Sequence, residues 1–289
     1  MSIARTCCFC LVFWSLTASV APAAVEGAKV VGPKDPPTLS PGEGHALLAF
    51  DLLDKLEGIR FTPDGEGFAT LSIDRLQPGV HALLLRLPAA QYCLSTFNTD
   101  RRERPVSGSM RRTQTVTLRW VRPPDAPPGS GPCFKVIEGA LTYTGHLTLR
   151  AAAVGGQASW TFRLDQFLAW MVRERPLALA VHHDLRAGSS GWMRPTAHTV
   201  DFASVAFEAG DPSFARALLE RAGEAGDAGA MTELGRRLYE GDGLPSDADG
   251  ARAWYSRAAE LGDAEAQSAL CTLFDALDCS GSDEAPTPP

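Results

Sequence analysis

Three groups of residues in this 289-residue chain carry side chains suited to chemistry, and their spacing decides what each can do. His182-His183-Asp184 offers metal ligands in adjacent positions. Neighbours on a helix point about 100° apart, so they cannot close on one ion as an i,i+4 pair would, and the chain has no H-E-x-x-H run. Gly188-Ser189-Ser190-Gly191 lacks the spacing of a nucleophile elbow and reads as a linker. Gly42-Glu43-Gly44 and Gly241-Asp242-Gly243 are too short for a dinucleotide fingerprint. The third group is basic: a loop from Asn98 to Thr113 holds Arg101, Arg102, Arg104, Arg111 and Arg112, with Arg119 and Arg122 beyond it. Guanidinium groups of this kind capture carboxylate or phosphate, while the plainer account is a solvated connection. These patterns assemble no catalytic set, metal set or cofactor cradle, so the chain is expected to be non-catalytic and to need no cofactor.

The cysteines divide by position. Met1 to Ala23 reads as a secretory signal: Arg5, an apolar run from Cys7 to Val20, then Ala21-Pro22-Ala23 as the cleavage site. The apolar run, 14 residues long, is too short to span a bilayer. A periplasmic or secreted location follows, and the mature chain keeps Cys93, Cys133, Cys271 and Cys279. Cys93 is expected to pair with Cys133, and Cys271 with Cys279. Positions eight apart in an unbroken helix lie roughly 12 Å apart, so that helix must end and turn back before Cys279; otherwise both are free thiols.

Charge is uneven. Residues 205–289 carry 17 acidic and 6 basic side chains, net −11, whereas 24–204 carry 17 and 20, net +3. The net −7 of the whole chain argues against nucleic acid as a partner.

The elements that would position these residues follow from periodicity. Residues 24–41, with Gly32-Pro33, Pro36-Pro37 and Pro41, read as an extended linker. Across 42–164 the apolar residues alternate, as in Val116, Leu118, Trp120 and Ala158, Trp160, Phe162, Leu164. About eight antiparallel strands are expected, at 46–52, 67–73, 80–87, 91–97, 116–120, 134–137, 141–150 and 158–164, forming a β-sandwich. Within it, Leu76-Gln77-Pro78-Gly79-Val80-His81-Ala82-Leu83 resembles the turn-and-strand of transthyretin-like or carboxypeptidase-regulatory modules. Residues 165–200 form a helical connector: Asp165 is available as a cap, a second helix runs from Pro176 to about Arg186, and Gly188 to Pro195 marks a hinge.

From 201 to 279 the chain repeats itself. Residues 215–230 return at 251–266, an offset of 36 with 10 identities in 16 positions. A fixed period in the mid-thirties marks stacked helix pairs, each too small to bury its apolar stripe alone. Helices are expected at 202–208, 211–225, 228–240, 248–261 and 264–277. Gly226 and Gly262 would supply left-handed helix ends, and Asp227 and Asp263 the caps. Ala253, Ala258, Ala259 and Ala266 would allow close helix approach, with Leu238, Leu261 and Leu270 in the core. Trp254 and Tyr255 suit packing between helices better than a hot spot. Ser280 to Pro289 is expected to be disordered.

Ala230, Leu234-Gly235, Tyr239, Gly241, Gly243-Leu244, Asp247, Ala251, Trp254-Tyr255, Ala258-Ala259 and Gly262 resemble one complete Sel1-like repeat, a relative of the tetratricopeptide repeat, with half-repeats on both sides. The resemblance implies an α-solenoid adaptor. The expected fold is therefore α+β multidomain: an N-terminal antiparallel β-sandwich followed by a short C-terminal α-solenoid of helix pairs. The expected function is a protein-interaction scaffold in the cell envelope, with an acidic contact face at Glu233, Glu240 and Asp242. The alternative is a module that binds glycan, peptidoglycan or an anionic ligand through the arginine loop and Trp120.

Overall fold

The computed structural model describes residues 24–64, 66–102, 113–119, 132–151, 156–188 and 197–274. Alternation in one strand sets the architecture. In β3 (Glu43–Leu52), Ala46, Leu48, Phe50 and Leu52 join one apolar core, while Leu47 and Ala49 join another. A strand buried on both faces must lie between two layers.

Those layers are a second sheet on one side and helices on the other. Sheet one runs β1 (Ala24–Glu26), β5 (Leu71–Leu76), β4 (Leu56–Pro63), β7 (Gln91–Arg102), β8 (Thr113–Arg119), with β9 (Cys133–Lys135) also on β7. Sheet two runs β11 (Gly156–Thr161), β10 (Leu141–Ala151), β3, β6 (Gly79–Pro88), β2 (Lys29–Val30), with β12 (Leu185–Ala187) on β10. Pairing is antiparallel except for β3 with β10 and β10 with β12, which are parallel. Ile59, Phe61, Ile73, Phe97 and Phe134 of sheet one join Phe50, Leu85, Leu87 and Leu147 of sheet two in one buried apolar core.

The other face of sheet two is covered by α1 (Leu164–Glu174) and α2 (Pro176–Val181), and the chain continues into α3 (Thr199–Glu208), α4 (Pro212–Glu224), α5 (Ala228–Glu240), α6 (Ala248–Glu260) and α7 (Ala264–Phe274). Tyr143 on β10, Phe167 on α1 and Phe202 on α3 form a continuous aromatic run, with ring centroids 4.9 and 5.1 Å apart. The second core thus extends from Leu47 to Ala266 without a break. Sandwich and solenoid share it.

That sharing corrects several expectations. Residues 24–41 are not wholly a linker, because β1 pairs with β5 and β2 with β6. The second connector helix stops at Val181: Leu185–Ala187 gains a ladder with β10 instead, and Leu141 N–H donates to Asp184 O. The expected hinge is tied on both flanks, since Ala187 and Ala197 exchange backbone hydrogen bonds and Gly188 N–H donates to Tyr143 O; positions 189–196 lie outside the described residues. The loop from Asn98 is shorter than expected, because β7 runs on to Arg102, opposite Thr113. Asp165 falls inside the first turn of α1, with no side-chain cap at that end. Strand β4 has no counterpart in the expected set. Residues 1–23 and 280–289 are outside the described residues.

The repeats follow their chemistry closely. Gly226 and Gly262 have φ of +98° and +88°, and Asp227 and Asp263 accept from Ala230 and Ala266 N–H, respectively. These are left-handed ends followed by caps.

Candidate functional site

The three acids expected at the contact face lie on one helix and the turn after it. Glu233 and Glu240 lie on α5, and Asp242 sits in the turn that follows Gly241. The spacing i, i+3, i+4 puts Glu233 beside Arg236 and Arg237, and both arginines bond its carboxylate at 2.8 and 2.6 Å. Arg236 also reaches Glu240 at 2.5 Å, and Arg237 reaches Asp242 at 3.1 Å. The three expected acids are thus brought together, but as one network with two arginines. Both guanidiniums hold the Glu233 carboxyl below its ordinary range against the opposing effect of burial. Its side chain is only 16% exposed, whereas Asp242 is 55% exposed. Arg237 also lies over the Phe207 ring at 3.9 Å, tying the network to α3.

Behind it, the aromatic pair of the repeat is packing. Tyr255 is 3% exposed, and a Cβ on Gly235 would meet its ring at 3.1 Å. A Cβ on Gly223 would approach Trp254 to 2.9 Å. Small residues on facing helices make room for large ones. Leu238 and Leu270 join this core, but Leu261, at the C-cap of α6, is exposed, as is Ala253; both point away from the neighbouring helices.

At the far end of the array, α7 fully buries only Ala266. Tyr239 and Leu273 remain 37% and 39% exposed; the Tyr239 ring meets Phe274 edge-on at 5.4 Å, and the Arg252 guanidinium lies 4.9 Å from the Phe274 centroid. Sequence reasoning passed over this aromatic and arginine patch. Its signal was the apolar pair Leu273-Phe274 at the end of the helix that follows the second of the two 36-residue-spaced units.

A polar cleft of about 590 Å³ opens where the connector meets the array, lined among others by His183, Asp184, Arg186, His198, Asp201 and Asp227. Its acids have structural tasks: Asp184 accepts from Arg186, Asp201 from the His198 backbone N–H and Asp227 from Ala230. Among the described residues no three His, Cys, Asp or Glu side chains are placed to hold a metal, and no helix is long and apolar enough to cross a membrane.

On the sandwich, Cys93 and Cys133 form the expected disulfide between directly opposed residues of β7 and β9. Cys271 is also disulfide-bonded, while Cys279 lies outside the described residues. Arg101 and Arg102 stand on the last two positions of β7; Arg104, Arg111, Arg112, Trp120 and Arg122 lie outside the described residues.

A mixed sandwich backed by an array of antiparallel helix pairs, with capped turns at a 36-residue spacing, defines an α+β protein ending in a short solenoid. Within the array, the Sel1 repeat family's model matches residues 208–227 and 228–263, so two Sel1 repeats form its middle. No curated protein and no solved structure matches the chain, so the transthyretin-like resemblance of Leu76 to Leu83 gains no support; this segment is the turn by which the chain passes from sheet one to sheet two.

Proposed function

We propose that this protein is an exported, non-catalytic scaffold that docks onto another protein of the cell envelope through the far end of its Sel1 array. The observation that carries this reading is a patch in which Tyr239, Leu273 and Arg252 stand exposed around the half-buried Phe274, next to two copies of a repeat type suited to protein interaction. Tyrosine, tryptophan and arginine are enriched among the few residues that dominate binding energy at protein interfaces. The flanking Glu240 and Asp242 add a polar rim. Export is supported by the signal-like Met1 to Ala23 and by the Cys93–Cys133 disulfide, which suits an oxidising compartment.

The test is crosslinking of the tagged full chain in intact cells, comparing it with Tyr239→Ala/Leu273→Asp. Deleting the repeats would open the shared core, so surface substitutions are the sounder comparison. Loss of one set of captured proteins, with unchanged melting temperature, is the expected result. Unchanged capture would remove the patch from consideration and move the search to the arginine loop of the sandwich and to a glycan or anionic ligand. Mass spectrometry of the purified protein should find a mature N-terminus at Ala24.

A further inference from the structure

His45 and His182 are fully buried, at 0% and 3% exposure, and are joined by a 2.6 Å hydrogen bond between His45 Nδ1 and His182 Nε2. His45 stands on the helix-facing side of β3; His182 immediately follows α2, and its Nδ1 lies 3.1 Å from Gly139 O in the turn before β10. Arg221 of α4 donates to Ala180 O in the last turn of α2. The pair therefore occupies the point where sheet two, the connector and the helix array meet.

The hydrogen bonds fix the tautomers. Gly139 O can only accept, so His182 Nδ1 carries the proton and His182 Nε2 is the acceptor; His45 Nδ1 must then donate. The remaining nitrogen, His45 Nε2, is buried with no hydrogen-bond partner. An added proton can reside only there or, after tautomer exchange, between the rings, and in either case it leaves a buried cation whose N–H has no acceptor. No described carboxylate bonds either ring. Glu43, two residues along β3, is engaged by Arg86 at 3.3 Å and by Ser40 N–H, and Asp184 is engaged by Arg186. The other charged or titratable groups facing the pair are Arg86 from β6, Arg221 from α4 and His183; Arg86 and Arg221 oppose a positive charge.

We propose that the His45–His182 pair is an acid-operated latch: protonation opens the seam between sheet two and the helical layer while the core between the two sheets stays closed. Burial pushes both imidazoles down to about 4, with Arg86 adding to the effect at His45, and the partner ring and Arg221 at His182. Once the seam opens, the rings return to their ordinary value near 6.5 and take up protons more readily than the closed form does. The closed seam is therefore insensitive to pH above about 6.5 and loses ground as pH falls from there toward 4. His146, the third buried histidine, lies on the same side of sheet two, and its pKa is also lowered by burial. None of the three buried histidines lies between the sheets; His81, opposite Phe50 on β6, is only half-buried at the rim of that core, with its Nε2 2.6 Å from Gln77 O.

Hydrogen exchange of the full mature chain between pH 7.5 and 4.5, corrected for intrinsic rates, tests the latch. Peptides covering 164–187 and 199–224 should lose protection at least tenfold below about pH 5.5, reversibly, while β4 and β5 keep theirs. In His45→Gln/His182→Gln this acid response should fall well below that of the wild type, His146 being the remaining buried imidazole on that side of sheet two. Equal loosening of every peptide, or a folded double variant with the wild-type acid response, would overturn the proposal. Should the variant not fold, imidazole ¹⁵N shifts of the wild type decide: proton uptake at both rings sharing the midpoint of the exchange change upholds it, and rings that stay neutral through that change refute it.

Discussion

The Tyr143 hydroxyl lies 2.5 Å from His146 Nδ1 across a bulge in β10. Opposite Leu47 and Ala49 of β3, β10 places Tyr143 and His146, three residues against two. The extra residue reverses the alternation, so Tyr143 packs among the helices while Leu147, four positions on, packs between the sheets. Burial raises the Tyr143 pKa to about 12, so the hydroxyl keeps its proton and donates it to His146, while accepting from Arg163 N–H at 3.3 Å. Tyr143→Phe should leave both groups without this partner and cost about 1–3 kcal/mol, measured by urea unfolding at pH 7.5. A change below about 0.5 kcal/mol would mean the bulge is held by packing alone.

Gly235 is required by Tyr255. With a Cβ placed 3.1 Å from three ring atoms, Gly235→Ala should be tolerated only if α5 and α6 separate slightly, and Gly235→Val should cost about 1–3 kcal/mol through overpacking. Thermal melting followed by far-ultraviolet circular dichroism would read the difference. Equal melting temperatures for Gly, Ala and Val would show that the helix pair is looser than this packing.

The Glu233 network separates structural from interfacial acids. Glu233→Ala leaves Arg237, whose side chain is 11% exposed, without its closest partner and should cost about 1–2 kcal/mol after allowance for partial solvent screening. Asp242→Ala should change stability by less than about 0.5 kcal/mol, since that carboxylate is mostly in solvent. Chemical denaturation of the two variants side by side checks the order. The reverse order would place the stabilising pair at Asp242.

The repeats were legible because their chemistry is local. Gly226, Asp227, Gly262 and Asp263 specify helix ends by conformation and capping within four residues, and the 36-residue offset marks the units that stack. The sandwich was legible only as alternation. Strand β4, Leu56-Glu57-Gly58-Ile59-Arg60-Phe61, breaks its pattern with a glycine and two register shifts, and β12 is only three residues held by its parallel neighbour, so neither announces itself. The His45–His182 pair was out of reach, because its members lie 137 positions apart and meet only after sheet two and α2 have formed. The acidic face was read from net charge, which sums carboxylates and arginines over the segment without showing that Arg236 and Arg237 lie one turn from Glu233 and bond it.

Phe167 tests whether sandwich and solenoid are one cooperative unit. Its ring stands between Tyr143 on β10 and Phe202 on α3, 1% exposed, in the core that continues into the repeats. Phe167→Ala should cost about 3–5 kcal/mol, the range for a buried aromatic whose site cannot collapse. Independent domains would confine that loss to one of two transitions and leave the other at its original temperature. With a shared core, calorimetry at pH 7.5 should show one transition in the wild type, with calorimetric and van't Hoff enthalpies in agreement, and the substitution should lower it as a whole. Two wild-type transitions, only one of them moved by Phe167→Ala, would separate the layers that the aromatic run joins.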